Sequence, residues 1–152
     1  MSPDAPPSHP HASSIASGVL LLDKALRARG IDPAPLLQKA GIDFSEATRP
    51  GARLPSAQVY ELHRLSVDAT GDSCIGLSAA SQMQPANLQG LGFAWLASDS
   101  LRDALERLVR FSQLINNVAR LRLEETAESV ELVAYDLDKL PDYPDSAIDM
   151  GM

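Results

Sequence analysis

The chain has 152 residues, of which 45% are hydrophobic, which is enough for one domain with an apolar core but too few for two comfortable ones. Its net charge of −7 excludes a general electrostatic attraction for nucleic acid or anionic membranes, which requires clustered Lys and Arg. The single cysteine, Cys74, excludes an internal disulfide framework and fits a reducing compartment. Since no secretory signal and no apolar run of about 20 residues occurs, we expect a cytoplasmic protein.

Residues 1–14 form a predicted disordered tail. Four prolines stand there among small polar residues, a composition that buries too little apolar surface to offset the entropy of ordering. The segment also holds His9 and His11. An H-x-H pair binds a metal weakly, but with no further ligand nearby a flexible tail is the better interpretation, and we expect no metal site. The domain itself is expected to span residues 15–152.

Three helices are predicted in the first half of the domain. The first carries an apolar stripe and ends at Gly30, a residue suited to a left-handed cap; the stripe is Ile15, Val19, Leu22 and Leu26. The second starts at Asp32 as N-cap, has Pro33 in its first turn and ends before Gly41. A polar connection, "SEATRPGARLP", leads to the third helix near Ser56, whose apolar face includes His63.

The middle of the chain predicts three more helices. "CIGLSAAS" is a short one, and Pro85 to Ala97 follows as a helix that is apolar on all sides and therefore expected to be buried. Gly90 and Gly92 lower its helix stability, so we expect them to let another element approach closely. The third runs from Leu101 to about Asn117 with Ser100 as N-cap, and its predicted core stripe is Leu101, Ala104, Leu105, Leu108 and Ile115.

Past Asn117 the spacing of apolar residues changes from the helical period of about 3.6 residues to every second residue, as in a strand. "ARLRLE" and "SVELVAYDL" alternate around "ETAE", a pattern typical of a β-hairpin. "LPDYPDSAIDMGM" then gives a loop and the first residues of a helix that stops almost at once, as if the chain were cut short. The predicted fold class is therefore α+β, mostly α: a helical bundle with a small antiparallel β-hairpin.

The sequence does not predict an enzyme. No nucleophile elbow, phosphate-binding loop, dinucleotide glycine pattern or zinc motif occurs, and we expect no catalytic residue and no cofactor. Cys74 and His63 are the one cysteine and the one histidine of the ordered region. A Cys–His dyad would need both side chains within hydrogen-bonding reach, and a small buried structural cysteine is the more common case. We therefore interpret Cys74 as a core residue.

Four side chains are candidates for binding a small molecule: His63, Trp95, Phe111 and Asn116. Each also has a plainer interpretation. A histidine on an apolar helix face is often a hydrogen-bonded core residue, aromatic residues at helical spacing are usually core, and Asn116 with Asn117 fits a helix C-cap. A few polar groups beside aromatic rings are, however, also how small-molecule pockets are lined.

Several stretches resemble the N-terminal regulatory domain of AraC/XylS-type transcriptional activators, in the subgroup whose domain is mainly helical. They are "GVLLLDKALRARGIDPAPLLQKAGI", "ARLPSAQVYELHRLSVDATGDSCIGLSAAS", "LQGLGFAWLASDSLRDALERLVRFSQLI" and "ARLRLEETAESVELVAYDL". The resemblance covers roughly Ile15 to Met152, in order and with matching spacing. It differs at His63, where the family more often has a large aromatic residue.

The resemblance implies a bacterial one-component regulator whose N-terminal domain senses a small-molecule effector, mediates dimerisation, or does both. In the family, a C-terminal domain with two helix-turn-helix units binds DNA, and that domain is absent here. We accordingly expect a homodimer that is truncated at its C-terminal end and reaches DNA only through the missing domain.

An acidic C-terminal segment supports an alternative. From Glu124 to Met152 there are nine acidic residues against one lysine, usually the mark of a solvated surface. A ligand-free module could instead contact a basic partner through this segment, with Asp142, Asp145 and Asp149 as the test residues.

Overall fold

Helices dominate the structure, a computed structural model that describes residues 12–135 and 144–151. The α-helices are α1 Ser17–Ala28, α2 Ala34–Lys39, α3 Phe44–Ala47, α4 Ser56–Thr70, α5 Ile75–Ala80, α6 Gln89–Leu96, α7 Leu101–Phe111 and α8 Asp145–Gly151. Two 3₁₀ helices cover Pro85–Leu88 and Ser112–Leu114. The strands are β1 Ser13–Ile15, β2 Arg53–Pro55, β3 Arg120–Glu125 and β4 Val130–Tyr135. The predicted α+β, mostly α class is confirmed.

The main apolar core lies around α1. Leu22 and Leu26 of this helix are fully buried, and they belong to one cluster with side chains of α2, α4, α5 and α8. The helix ends predicted at Gly30 and Gly41 are confirmed, since both glycines have positive φ angles, 74° and 70°. The core therefore consists of α1 and the helices packed around it.

Two small antiparallel sheets complete the fold. The predicted hairpin is confirmed as β3 paired with β4, with Leu123 opposite Leu132. The second sheet, β1 with β2, was not predicted, because strands of three residues give too short a pattern. It begins at Ser13, and residues 1–11, with His9 and His11, lie outside the described residues.

The strand β1 also connects the helical core to the segment that follows α7. The backbone N–H of Ile15 donates to the carbonyl of Ile115 at 2.8 Å, and the N–H of Asn117 donates to the carbonyl of Ser13 at 3.2 Å. The Arg53 side chain on β2 reaches both sides, donating to the carbonyls of Ser13 and Leu114. The segment after the second 3₁₀ helix is thus fixed to the helical core.

The prediction of one buried helix from Pro85 to Ala97 is wrong in two respects. The segment divides into a 3₁₀ helix and α6, and the first residue of α6, Gln89, has a positive φ of 53°. Phe93 and Leu96 are 60% and 66% exposed, because α6 packs on one side only and its apolar residues surround it. Gly92 does serve a close approach, since a Cβ there would lie 1.9 Å from the carbonyl oxygen of Pro85. The same expectation is wrong for Gly90, where a Cβ would meet no atom within 4 Å.

The long amphipathic helix is shorter than predicted. It ends at Phe111 and continues as the 3₁₀ helix Ser112–Leu114. Leu101, expected in the core stripe, is 69% exposed, since it stands at the first position of α7 with no element packed over it in the described residues. Ala104 is buried as expected. The predicted N-cap is confirmed, because the Ser100 hydroxyl accepts from the N–H of Asp103.

The C-terminal segment forms a helix where the sequence suggested only an interrupted start. The helix α8 packs against α5 and α4, and Ser146 and Ala147 are buried. Tertiary contacts stabilise it, which explains why two turns suffice. Within residues 12–135 and 144–151, no helix is both long and apolar enough to cross a lipid bilayer.

Candidate functional site

A cavity of about 600 Å³ lies between the helical core and the second half of the chain. This size falls within the range of roughly 300–1,000 Å³ that is typical of small-molecule pockets. One side of its wall comes from α1, α4 and α5, and the other from α6, α7 and the β3–β4 hairpin. The helix α8 closes part of it with Ala147, Ile148 and Met150.

Two close approaches make the cavity wall possible. At Gly76 on α5, a Cβ would lie only 1.8 Å from the carbonyl oxygen of Ser146, so α8 crosses α5 with backbone against backbone. At Gly92 on α6, the carbonyl of Pro85 takes the space of a side chain. Both glycines bring a wall element closer than any other residue would allow.

His63 is a buried polar residue in this wall. It is 1% exposed, and its Nδ1 lies 3.1 Å from the hydroxyl oxygen of Ser146 on α8. Burial lowers the pKa of the imidazole from 6.5 to about 4, because the charged ring would lose its hydration. His63 is therefore neutral at physiological pH. The expectation that it is buried is confirmed, while its hydrogen-bond partner could not be predicted.

Of the other three candidate residues, two lie in the cavity wall. Trp95 on α6 and Asn116 after the second 3₁₀ helix line the cavity together with His63. Phe111 does not: it is 40% exposed, and the Arg110 guanidinium lies 5.6 Å from its ring centroid. The structure thus brings three of the four candidates together. Their roles in binding a ligand stay predictions.

Sequence reasoning missed several polar residues of the wall. They come from separate elements and are Ser14, Ser17, Tyr60, Gln84, Asn87 and Ser112. None stands in a recognisable motif. Only Tyr60 could have been found from the sequence pattern. It lies on α4 three residues before His63, on the same apolar face of the helix.

The described part of the wall consists of uncharged residues. Among the residues in the described ranges, no Asp, Glu, Lys or Arg lines the cavity. The same part of the chain holds no cluster of three or more His, Cys, Asp or Glu side chains that could bind a metal ion. The site therefore offers shape, apolar surface and hydrogen bonds.

The core interpretation of Cys74 is wrong. The thiol is exposed just before α5, because the turn that starts this helix places the residue at the surface. The hydrogen bond of His63 goes to Ser146, so the described residues contain no Cys–His dyad.

Comparison with known proteins identifies the domain. A family model described as "Arabinose-binding domain of AraC transcription regulator, N-term" matches residues 30–152, which include α2 to α8 and most of the cavity wall. The family is one of regulatory domains and not of enzymes. A comparison with curated proteins gave no significant match. Because the family model covers most of the chain, the protein belongs to the family of N-terminal arabinose-binding domains of AraC-type transcription regulators.

Proposed function

We propose that this chain senses a small-molecule effector. The effector binds in the cavity between two halves of the domain, α1, α4 and α5 on one side and α6, α7 and the β3–β4 hairpin on the other. The single observation that carries the proposal is the cavity itself, about 600 Å³ in volume and lined by side chains from nearly every element. A ligand there would contact both halves at once. Membership of a family of effector-binding regulatory domains supports the same function.

The helix α8 could change its position when a ligand occupies the cavity. Three of its residues line the cavity, while Ser146 holds the helix to His63 on α4. A ligand that contacts Ile148 and Met150 adds binding free energy only when α8 is docked. By its differential affinity, such a ligand shifts the population toward the docked state.

The proposal includes a homodimer in the cytoplasm that reaches DNA through a helix-turn-helix domain outside this chain. Support for dimerisation comes from exposed large apolar side chains on α6 and at the start of α7, Phe93 and Leu101. The alternative, a ligand-free module acting through its acidic C-terminal segment, stays a prediction. Asp145 and Asp149 lie on α8, and Asp142 lies outside the described residues.

The test is a binding screen with a variant that fills the cavity. Ala134 on β4 lines the cavity, whereas its neighbour Val133 does not, because side chains alternate along a strand. We therefore compare Ala134→Phe with the matched control Val133→Phe. Thermal shift against broad classes of metabolites should yield ligands that raise the melting temperature of the wild-type chain and of Val133→Phe.

The filled variant should lose that response. A ligand that stabilises Ala134→Phe as much as wild type would bind elsewhere and contradict the proposal. Finding no stabilising ligand in any class would do the same.

A further inference from the structure

We infer that the cavity binds an uncharged, mainly apolar molecule with one hydrogen-bonding group placed at His63, and that it does not bind a sugar. This inference rests on the proposed function and specifies its ligand. It departs from the ligand that the family description names, and the chemistry of the wall is the reason.

Charge complementarity excludes ionic ligands. No described residue of the wall carries a charge, and burying a carboxylate or ammonium without a partner is costly. His63 gives no cation at physiological pH, because its buried ring is neutral. The net charge of −7 further disfavours an anionic ligand.

The hydrogen bonds within the wall disfavour a polyol. The Ser17 hydroxyl donates to the carbonyl of Asn87 at 2.6 Å, and the side-chain oxygen of Asn87 accepts from the N–H of Gln84 at 2.8 Å. The side-chain oxygen of Asn116 accepts from the N–H of Val118, also at 2.8 Å. These three side-chain oxygens are thus engaged with the protein, so a bound sugar would lose the hydration of its hydroxyls for few replacement hydrogen bonds.

His63 supplies the hydrogen-bonding position. Its Nδ1 is engaged with Ser146. No described residue bonds to its Nε2, and this nitrogen is not among the fully buried polar atoms that lack a partner, so it is accessible from the cavity that His63 lines. The neutral ring presents either an N–H or a lone pair at Nε2, depending on the tautomer. An alcohol suits both tautomers, since a hydroxyl donates and accepts.

Apolar side chains make up most of the remaining wall. They come from opposite sides of the cavity and include Leu21, Val59, Leu88, Trp95, Leu108 and Ile148. An aliphatic or aromatic body of matching size would therefore bind by the hydrophobic effect, with His63 fixing its polar end.

A matched series of probes tests the ligand class. We compare 1-octanol, octanoate and L-arabinose, the first two of which have the same length and differ in charge. Trp95 is the sole tryptophan of the chain and lies in the wall, so its emission reports on the cavity itself. We expect 1-octanol to shift the emission to shorter wavelength and to bind roughly tenfold or more tightly than either other probe.

The variant His63→Phe tests the polar position. It keeps a ring of similar shape and removes the hydrogen bond, so affinity for 1-octanol should fall about three- to tenfold. Affinity for n-heptane, which has no hydrogen-bonding group, should not fall. An equal loss for both probes would overturn the role of His63.

The possible failures are distinguishable. If octanoate or L-arabinose binds as tightly as 1-octanol, with the same Trp95 response and with loss in Ala134→Phe, the ligand class is wrong while the sensing function stands. If no probe or metabolite changes the Trp95 emission or the melting temperature, the proposed function fails and this inference fails with it.

Discussion

The carbonyl oxygen of Ser146 lies 1.8 Å from the position that a Cβ atom would take at Gly76. The two residues are far apart in the chain, yet their backbones touch where α8 crosses α5. The same Ser146 places its hydroxyl against Nδ1 of His63 at 3.1 Å. One residue of α8 thus sets both how closely the helix docks and how the buried imidazole is held.

The variant Gly76→Ala should undock α8. The added methyl group overlaps the Ser146 carbonyl, so α8 must shift and the contact with His63 is lost. We expect the free energy of unfolding to fall by about 1–3 kcal/mol, as for other overpacked cores. Chemical denaturation measures this loss, and amide exchange in α8 should rise selectively.

The variant Gly90→Ala is the matched control. A Cβ at this position of α6 meets no atom within 4 Å, and alanine favours a helix over glycine by roughly 0.5–1 kcal/mol. Gly90→Ala should therefore leave stability unchanged or raise it. Equal losses in the two variants would show that the α5–α8 crossing is not the cause.

Features whose interacting residues are close together in the chain could be predicted from the sequence, and features that join distant residues could not. The Ser100 cap and the β3–β4 hairpin were predicted, because their partners lie within a few residues. The partner of His63 was not, since Ser146 belongs to a short helix that forms only by docking on α4 and α5. Phe93 and Leu101 were placed in the core because periodicity identifies an apolar face but not whether another element covers it.

Stability should depend on pH through His63. Its pKa is about 4 in the folded chain against 6.5 when unfolded, so the unfolded state takes up the proton first as the pH falls. The contribution is complete above pH 6.5 and is lost as the pH falls from 6.5 toward 4. We expect the free energy of unfolding to be about 2 kcal/mol lower near pH 5 than near pH 7.

The comparison with His63→Phe isolates this effect. Surface carboxylates whose pKa is lowered, such as Asp43 and Glu125, add pH dependence of the same sign in both proteins. The difference between wild type and variant therefore reports on the imidazole alone. Parallel stability curves over this pH range would show that His63 is not buried as a neutral ring.

The N-cap at Ser100 should contribute to stability and not to ligand binding. Its hydroxyl accepts from the N–H of Asp103 at 3.2 Å, and neither residue lines the cavity. Ser100→Ala should cost about 1 kcal/mol. Ser73→Ala, an exposed serine without a capping role, is the control and should cost little. A weaker response of Ser100→Ala to 1-octanol at unchanged stability would contradict this assignment.

The exposed residues of α6 and α7 give the last prediction, which concerns dimerisation. Phe93 and Leu101 are 60% and 69% exposed, and Leu96 between them in the chain is 66% exposed. Large exposed apolar side chains grouped in this way, unlike single ones, are typical of interaction surfaces. In a twofold dimer the same patch serves both partners, so each substitution acts twice. Phe93→Ser and Leu101→Ser should therefore each weaken association by roughly tenfold or more in light scattering at graded concentrations.

Leu77→Ser, at 51% exposure on α5, is the control that removes a similar apolar area elsewhere and should not change association. A wild-type chain that stays monomeric at every concentration would refute dimerisation through this domain, whereas equal weakening in all three variants would show that exposed apolar area, and not this patch, drives association.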